Sequence, residues 1–299
     1  MPGRILSQPY TTGELMSWFD PTGNEFALNG DAYLFLDNPG RRGFKGLPPY
    51  TTSVLRVPLT DGDVPRFSLA DPRPLDVHLL IKGSNPTDYE SVRIALQNAM
   101  NPKLGDGFFR CQRQDGMTQR DIFCRYASGF SGEESWGIAS SVHQEYLLAF
   151  LAHDPYFYDK VATTLTFTSG APTNFFPIMP VLLTGGTIGS GFTLANNGDT
   201  DAYPVWVITG PGTTPVLTNV TTGKAITTSI TLTGGQALTI DTQKKTVVRE
   251  DGSNQFSVLS FASVLWTLTP GSNAVTLTMS GTTAASKISV SYKQRWNSL

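Results

Sequence analysis

Residues 196–211 read Asn196-Asn-Gly-Asp-Thr-Asp-Ala-Tyr203-Pro-Val-Trp206-Val-Ile-Thr-Gly210-Pro211. The Asn, Gly and Asp residues at the start predict a polar turn, and the Val, Trp and Ile residues that follow predict a short β-strand. The Gly-Pro pair ends this strand, because proline has no backbone N–H to donate to a sheet. Nothing in the stretch is typical of an active site. It predicts one strand, with defined ends, in a domain made of β-sheet.

The composition of the chain changes near residue 160. Residues 161–299 contain seven basic and five acidic residues, against fifteen and nineteen before them, and threonine and glycine become common. Beyond a linker at residues 170–174, short strand candidates recur at the ~8–12-residue spacing of a β-sandwich. We therefore predict two domains, residues 1–160 and residues 161–299, the second an antiparallel β-sandwich.

The overall composition favours a soluble β protein and excludes several function classes. The 299 residues can bury two cores, and the 15% charged residues, 29 Gly and 20 Pro favour strands and turns over helices. A net charge of -2 gives no basic surplus for phosphates, so we predict no sequence-specific nucleic-acid binding. No signal-peptide pattern and no apolar window of ~18 residues occur, so we expect no membrane span.

The elements predicted in the first domain include strands at residues 53–58 and 75–81 and one helix. Residues 75–81 alternate apolar and polar side chains, which is typical of a half-buried strand, and His78 falls on its other face as a structural residue. Residues 87–101 predict a helix with Thr87 as N-cap and Glu90 as its capping-box partner. The apolar side chains of this helix form one stripe that is expected to pack on a sheet: Tyr89, Val92, Leu96 and Met100.

Two Gly-containing turns predict β-hairpins. Asn29-Gly30 separates two apolar runs and predicts a type I′ turn, which needs positive φ at both central residues. Asp115-Gly116 predicts a second two-residue turn. Arg41 and Arg42 lie on a loop rich in Pro and Gly, where a basic pair is either a solvated turn or a contact with a partner.

The cysteines are predicted to be free thiols. A turn at 115–116 places Cys111 opposite Arg120 and Cys124 opposite Gly107, so the two sulfur atoms do not face each other across the hairpin. Free thiols fit synthesis in a reducing cytoplasm.

The chain has no pattern of catalytic or metal-binding residues. Gly189-Ser190-Gly191 lacks the G-x-S-x-G frame of a nucleophile elbow. His78, His143 and His153 are scattered, without the spacing that aims two ligands at one ion. We therefore predict no enzyme activity and no cofactor.

Two aromatic residues leave a binding function open. Tyr203 and Trp206 could stack on sugar rings if they were exposed, as in a carbohydrate-binding adhesin that contacts the host envelope. A Trp that alternates with valines in a strand is more often buried between two sheets. Both alternatives stay open at the level of sequence.

Three segments of the chain together fit one known protein family. They are Asp154-Pro-Tyr-Phe-Tyr158, residues 196–211, and an ending that runs from Leu265-Trp-Thr-Leu-Thr-Pro-Gly-Ser-Asn273 to Val290-Ser-Tyr-Lys-Gln-Arg-Trp296. In this combination and order the chain resembles the distal tail proteins of siphophages (Dit-like), the ring proteins at the tip of long non-contractile tails. Each segment is short, and only the combination is specific.

This resemblance implies a mainly β fold with two parts. Residues 1–160 are expected to form a ring-forming domain like that of tail-tube proteins, with one α-helix. Residues 161–299 are expected to form a galectin-like antiparallel β-sandwich. "Galectin-like" describes a shape, so sugar binding does not follow from it.

The resemblance also implies a structural role in the virion. It implies a hub at the tail tip, a homohexameric ring that links the tail tube to the tip or baseplate and the receptor-binding apparatus. Its expected partners are the tail tube protein, the tape measure protein, a tail-associated tip protein and receptor-binding proteins. The tape measure and later DNA would pass through a lumen with acidic or neutral walls. Candidate interface residues are Asn29, Gly30, Arg41, Arg42, Asp115 and Gly116.

Overall fold

The computed structural model describes residues 15–30, 32–35, 41–59, 61–112, 118–130, 142–168 and 187–299. The chain forms two compact units: unit 1 is Met1–Lys160 with Trp296–Leu299, and unit 2 is Val161–Arg295. Both are built from antiparallel sheet, and one α-helix occurs in the described part, so the predicted fold class is confirmed. Across the same residues, no helix is long and apolar enough to cross a membrane.

Unit 1 is organised around one large sheet. The order of its strands is β2-β1-β8-β9-β10-β7-β3, with β4 paired to β7 and β11 paired to β9, while β5 and β6 form a separate sheet. The strands are β1 (Met16–Phe19), β2 (Glu25–Ala27), β3 (Tyr33–Phe35), β4 (Arg41–Arg42), β5 (Tyr50–Leu55), β6 (Val64–Ala70), β7 (Arg73–Lys82), β8 (Gly107–Gln112), β9 (Gln119–Ser128), β10 (His143–Ala152) and β11 (Phe157–Asp159).

The centre of this sheet is the pair β7 and β10, which runs from His143↔Lys82 to Ala152↔Arg73. Burial alternates along both strands, because successive side chains point to opposite faces of a sheet. The predicted strand at residues 75–81 is therefore confirmed. On the face opposite the core, His78 Nε2 lies 3.2 Å from Glu145 Oε2.

The helix packs on the sheet as predicted but begins at a different residue. Helix α1 covers Pro86–Ala99, and Asn85 is its N-cap, with Oδ1 accepting a hydrogen bond from Asp88 N at 2.9 Å. The prediction of Thr87 as N-cap is wrong. Pro86 fits the first helical position, because its fixed φ suits the helix and its missing N–H is not needed there. The N-cap is therefore the residue before Pro86, two residues before Thr87. The predicted stripe is confirmed, with Tyr89, Leu96 and Met100 buried and Val92 packed against the same core.

The two-residue turn predicted at Asn29-Gly30 is wrong. Strand β2 pairs with β1 and strand β3 pairs with β7, and the two apolar runs meet at an isolated antiparallel bridge between Asn29 and Leu34. Neither Asn29 nor Gly30 has the positive φ of a type I′ turn. Instead, Asn29 Oδ1 accepts a hydrogen bond from Met16 N at 2.7 Å, and this contact holds the residue against β1.

The second predicted hairpin has the expected register. In the β8–β9 pair, Cys111 lies opposite Arg120 and Cys124 lies opposite Gly107. Neither cysteine is in a disulfide bond, both are buried, and burial raises the pKa of the Cys124 thiol. The turn residues Asp115 and Gly116 lie outside the described residues.

Unit 2 is a sandwich of two antiparallel sheets, with orders β12-β21-β14-β18-β19 and β13-β20-β15-β16, and β17 paired to β15. At β22 (Arg295–Trp296) the chain returns to unit 1. Short 3-10 helices occur at Pro102–Leu104 and Phe256–Val258. The strands of unit 2 are β12 (Thr163–Thr168), β13 (Thr187–Asn196), β14 (Val205–Thr209), β15 (Gly212–Asn219), β16 (Lys224–Thr227), β17 (Thr231–Leu232), β18 (Ala237–Asp241), β19 (Thr246–Arg249), β20 (Gly271–Ser280) and β21 (Lys287–Tyr292).

The N-cap gives a direct test of the helix boundary. Replacing Asn85 by Ala should lower the free energy of unfolding by ~1 kcal/mol, because the helix loses a capping acceptor. The Thr87→Ala variant is the control and should stay within about 0.5 kcal/mol of the wild type, since Thr87 is an exposed residue inside the helix. Urea denaturation followed by circular dichroism measures both. A larger loss for Thr87→Ala would contradict this boundary.

Candidate assembly interfaces

Four of the predicted interface residues lie along one edge of the unit 1 sheet. Asn29 and Gly30 come just before β3, and Arg41 and Arg42 form β4. Because β3 and β4 both pair with β7, the fold brings these residues to the same side of that strand. Here the basic pair is part of a sheet and not of a solvated turn.

This edge is a limited template for pairing with another chain. Strands β3 and β4 have three and two residues. Short edge strands with charged residues are a common protection against unwanted pairing of sheets. The hairpin formed by β5 and β6 is a stronger candidate.

Strands β5 and β6 form a two-stranded sheet of their own. They pair from Tyr50↔Ala70 to Leu55↔Val64, with a bulge after Ser53. Neither strand pairs with any other strand of the described chain, so both edges of the hairpin are open. A lone hairpin is marginally stable in water, and an additional contact is expected to hold it.

One face of the hairpin, called the apolar face below, carries four large apolar side chains that are open to solvent. Alternation along the strands and the register of the pair place Leu55, Val64, Phe67 and Leu69 on this face, opposite or beside the small residues Thr51 and Ser53. Each of these side chains is between 42% and 62% exposed. Contiguous exposed apolar patches of this kind mark surfaces that other molecules cover.

The opposite face of the hairpin is mixed. The hydroxyl oxygens of Thr52 and Ser68 lie 2.7 Å apart across the two strands. The register places Tyr50, Val54, Pro65 and Ala70 on the same side as this pair, so polar and apolar side chains alternate there. Sequence reasoning found a strand only at residues 53–58; the alternation in Val64-Pro-Arg-Phe67-Ser-Leu69 was the signal that it missed.

The sheet face opposite the core carries a small aromatic group that is already satisfied internally. The rings of Phe19 and Phe108 stack at 4.7 Å, and Phe123 lies beside them. The Arg110 guanidinium covers the Phe19 ring and donates to Asp121 Oδ1 at 2.8 Å, and this hydrogen bond raises the pKa of Arg110. These contacts occupy the group, so it is a weaker interface candidate than the hairpin.

Residues Trp296–Leu299, called the clasp segment below, belong to unit 1 although they follow unit 2 in the chain. Trp296 and Leu299 pack against the hydrophobic core of unit 1. Trp296 Nε1 donates a hydrogen bond to Asp159 Oδ1 at 2.8 Å, and Leu299 N donates to Phe44 O at 3.0 Å. Part of the core and backbone pairing of unit 1 therefore comes from residues far along the chain.

Two buried arginines hold the backbone of the clasp segment. Arg73 is 2% exposed and donates to Asn297 O and to Gly43 O. Arg120 is 5% exposed and donates from Nη1 to Ser298 O at 2.6 Å. Burial lowers the pKa of Arg73 to about 10, so this guanidinium is still charged at neutral pH.

In unit 2, Asn196 explains the polar start of the stretch at residues 196–211. It is fully buried, its Nδ2 donates to Thr200 O and Leu268 O at 2.9 Å, and its Oδ1 accepts from Gly198 N at 3.0 Å. A Cβ on Gly198 would lie 2.5 Å from Arg295 O, so only glycine fits there. The Asn-x-Gly pattern is a packing and hydrogen-bonding device at the end of β13.

The two aromatic residues considered for sugar contact are both covered, wholly or in part, by other side chains. Trp206 is fully buried, and its ring lies 5.3 Å from that of Trp266. Tyr203 is half-buried, and the Arg295 guanidinium covers one face of its ring at 4.8 Å. The burial of Trp206 favours its interpretation as a core residue.

Titratable side chains do not cluster into a metal site in the part of the chain that the structure describes. No group of three or more His, Cys, Asp or Glu side chains there could hold a metal ion.

A comparison with protein families identifies unit 2. Residues 197–296 match the model of the siphovirus-type tail component, C-terminal domain. These 100 residues, about a third of the chain, resemble the C-terminal domain of siphovirus-type tail components. The resemblance to siphophage distal tail proteins, predicted from the sequence, is thereby confirmed. No curated protein sequence matches the chain.

Solved structures show that the fold extends over both units. The SPP1 Dit protein (gp 19.1), described as a paradigm of the hub adsorption apparatus in phages that infect Gram-positive bacteria, matches with a TM-score of 0.66 and 15% identity, over 94% of this chain and 98% of that chain. A chain of the activated phage P2 baseplate with Ca matches with a TM-score of 0.55 and 10% identity, over 96% and 99%. The same baseplate with Sr gives 0.56 and 11%, over 96% and 99%. At identities this low, the structural similarity shows a shared fold and nothing further.

The buried asparagine is predicted to matter more than its exposed neighbour. Asn196→Ala removes one acceptor and two donors from buried backbone groups and should lower the free energy of unfolding by ~2–4 kcal/mol. Asn197→Ala changes the next residue, which is exposed, and should stay within about 0.5 kcal/mol of the wild type. Thermal and urea denaturation measure both variants. Equal losses would refute the account of this motif.

Proposed function

We propose that this tail component is the distal hub of a siphophage tail, in which unit 1 of six copies closes into a ring. The observation that carries the proposal is the β5–β6 hairpin, which has two open edges and one exposed apolar face. The family match of unit 2 and the fold shared with the SPP1 Dit protein support the same role. The work of the protein is then mechanical.

The ring gives a physical use to the open hairpin. Unpaired strand edges are templates for another chain, and closure of a ring of identical subunits satisfies every such edge at once. In the proposed contact, the face formed by Leu55, Val64, Phe67 and Leu69 is buried on a neighbouring copy. The hairpin is thereby held by its neighbour, which supplies the contact that it lacks in a single chain.

The other partners follow from the position of a hub. The ring would continue the tail tube on one side and hold a tip protein on the other, with unit 2 offering contacts to baseplate or receptor-binding proteins. Its lumen would pass the tape measure protein and then DNA. Acidic or neutral walls suit this passage, because they do not bind phosphates. Residues 1–160 contain nineteen acidic and fifteen basic residues, a surplus of four acids, which supports such walls.

The ring and the hairpin contact are tested together by two variants that add the same charge at adjacent positions. Leu69→Glu puts a carboxylate on the apolar face, whereas Ser68→Glu puts it on the opposite face of the hairpin. In sedimentation velocity and negative-stain images, we expect the wild type and Ser68→Glu to form rings of six 32.4-kDa chains. Leu69→Glu should weaken association at least tenfold, which corresponds to ~1.4 kcal/mol.

Two results would count against this proposal. A wild-type protein that stays a monomer, alone and with tail-tube and tip partners, would remove the ring. Rings that form equally well with both variants would remove the hairpin contact. Circular dichroism of each variant checks that its fold is unchanged.

A further inference from the structure

We propose that unit 1 contains a peptide site whose ligand is the clasp segment of the same chain, and that filling this site makes unit 1 competent to assemble. The site would bind a peptide with Trp at its first position and an aliphatic residue at its fourth. Only the step from a filled site to assembly rests on the proposed function. The site itself rests on contacts within unit 1.

The first part of the site recognises side chains. The Trp296 ring lies under the Arg120 guanidinium at 3.9 Å, and its Nε1 donates to Asp159 Oδ1 at 2.8 Å. An Arg over a Trp face is a favourable cation–π contact, and it is stronger where water is excluded. Trp296 and Leu299 both reach the hydrophobic core. The site therefore selects one aromatic side chain with a donor, and one aliphatic side chain three residues later.

The second part of the site recognises backbone. The carbonyls of Asn297 and Ser298 accept hydrogen bonds from Arg73 and Arg120, and Leu299 N donates to a unit 1 carbonyl. Hydrogen bonds from charged groups are about twice as strong as neutral ones. Such contacts hold an extended peptide whatever its middle side chains are.

An empty site would be costly for unit 1. Arg73 and Arg120 are almost fully buried under the clasp segment. A buried charge that loses some of its partners is unfavourable, and without the segment Arg73 would keep Gly43 O and Gly46 O while Arg120 would keep Asp159. The site is therefore expected either to close on the segment or to open to water. Arg73 also donates to Gly43 O and Gly46 O, and Phe44 between them pairs with Leu299. The clasp segment and the loop at residues 43–46 are therefore expected to order together.

Because the ligand follows the site in the chain, the site can be filled only after unit 2 has been synthesised. The residues that form the site precede Lys160, where the chain leaves unit 1, and the ligand begins at Trp296. At ~5–20 residues per second, the intervening unit takes on the order of 10 s to translate, and unit 1 stays incomplete during that time. Chains that stop within unit 2 lack the clasp segment, so their site would stay empty and they would not enter the assembly.

The test uses two variants of the full chain. Trp296→Ala removes the ring and the donor from the site. Phe261→Ala is the matched control, because it removes an exposed aromatic side chain of unit 2 that takes no part in the site. Hydrogen exchange measured by mass spectrometry should show at least tenfold faster exchange in unit 1, at residues 41–46 and 157–159, for Trp296→Ala only. Unit 2, read at β14 and β21, should be unchanged.

A second arm supplies the ligand separately. In a chain that ends at Arg295, unit 1 should lose the same protection, while unchanged exchange in unit 2 shows that this chain has folded. The acetylated peptide Trp-Asn-Ser-Leu, added at millimolar concentration, should restore protection in a saturable way. A peptide with Ala in place of Trp should not restore it.

The outcomes separate this inference from the proposed function. Unit 1 protection that survives Trp296→Ala, equal loss in both units, or no restoration by the Trp peptide would overturn the peptide site. If the site holds, Trp296→Ala should also fail to form rings at concentrations where Phe261→Ala forms them, and equal ring formation would overturn the link to assembly. A wild type that never forms rings would remove the proposed function and that link, and would leave the exchange result for the site intact.

Discussion

Unit 1 depends on the ladder that joins β7 and β10, two ten-residue strands paired along their whole length. Because side chains alternate across a sheet, this ladder decides which face becomes the core. On that face lies the buried stripe of α1, and at the flanks β9 pairs with β10 while β3 and β4 pair with β7. A shift of one residue in this pairing would turn every core side chain outward.

Two features of unit 1 need contacts that this ladder does not supply. Each obtains them from a different source. The buried guanidinium groups of Arg73 and Arg120 find their acceptors in the clasp segment of the same chain. The apolar face of the β5–β6 hairpin has no such cover within the described chain. In our proposal, the two arginines bind the clasp segment during folding, and the apolar face of the hairpin is buried later, during assembly. The hairpin contact then forms between complete chains.

Local patterns in the sequence predicted the parts of the fold that depend on local physics. The alternation at residues 75–81, the stripe of α1 and the register around Cys111 and Cys124 follow from the period of an element or from the symmetry of a short turn. The N-cap was misplaced by two residues because Pro86 competes for the first helical position. The Asn29-Gly30 turn was overridden by a contact with Met16, which a local pattern does not contain.

The candidate interfaces were harder to predict, because they depend on which surfaces stay uncovered. Arg41 and Arg42 lie on a short strand, a pairing that depends on β7 more than thirty residues away. The exposure of Phe67 and Leu69 is likewise a property of the whole fold. The clasp segment contacts residues more than 170 positions earlier in the chain, as Ser298 contacts Arg120, and no periodicity links such residues. The family resemblance depended on three short segments in combination, and in one of them the buried network around Asn196 fixes residue types locally.

The central claim is that unit 1, through its hairpin, is the part that closes the ring. Electron cryomicroscopy of the assembled full-length protein tests it most directly. The account predicts a six-fold ring in which residues 50–70 of each copy lie on unit 1 of the next copy, with Phe67 and Leu69 buried at that contact. A ring closed through unit 2, or one in which the apolar face of the hairpin still faces solvent, would contradict it.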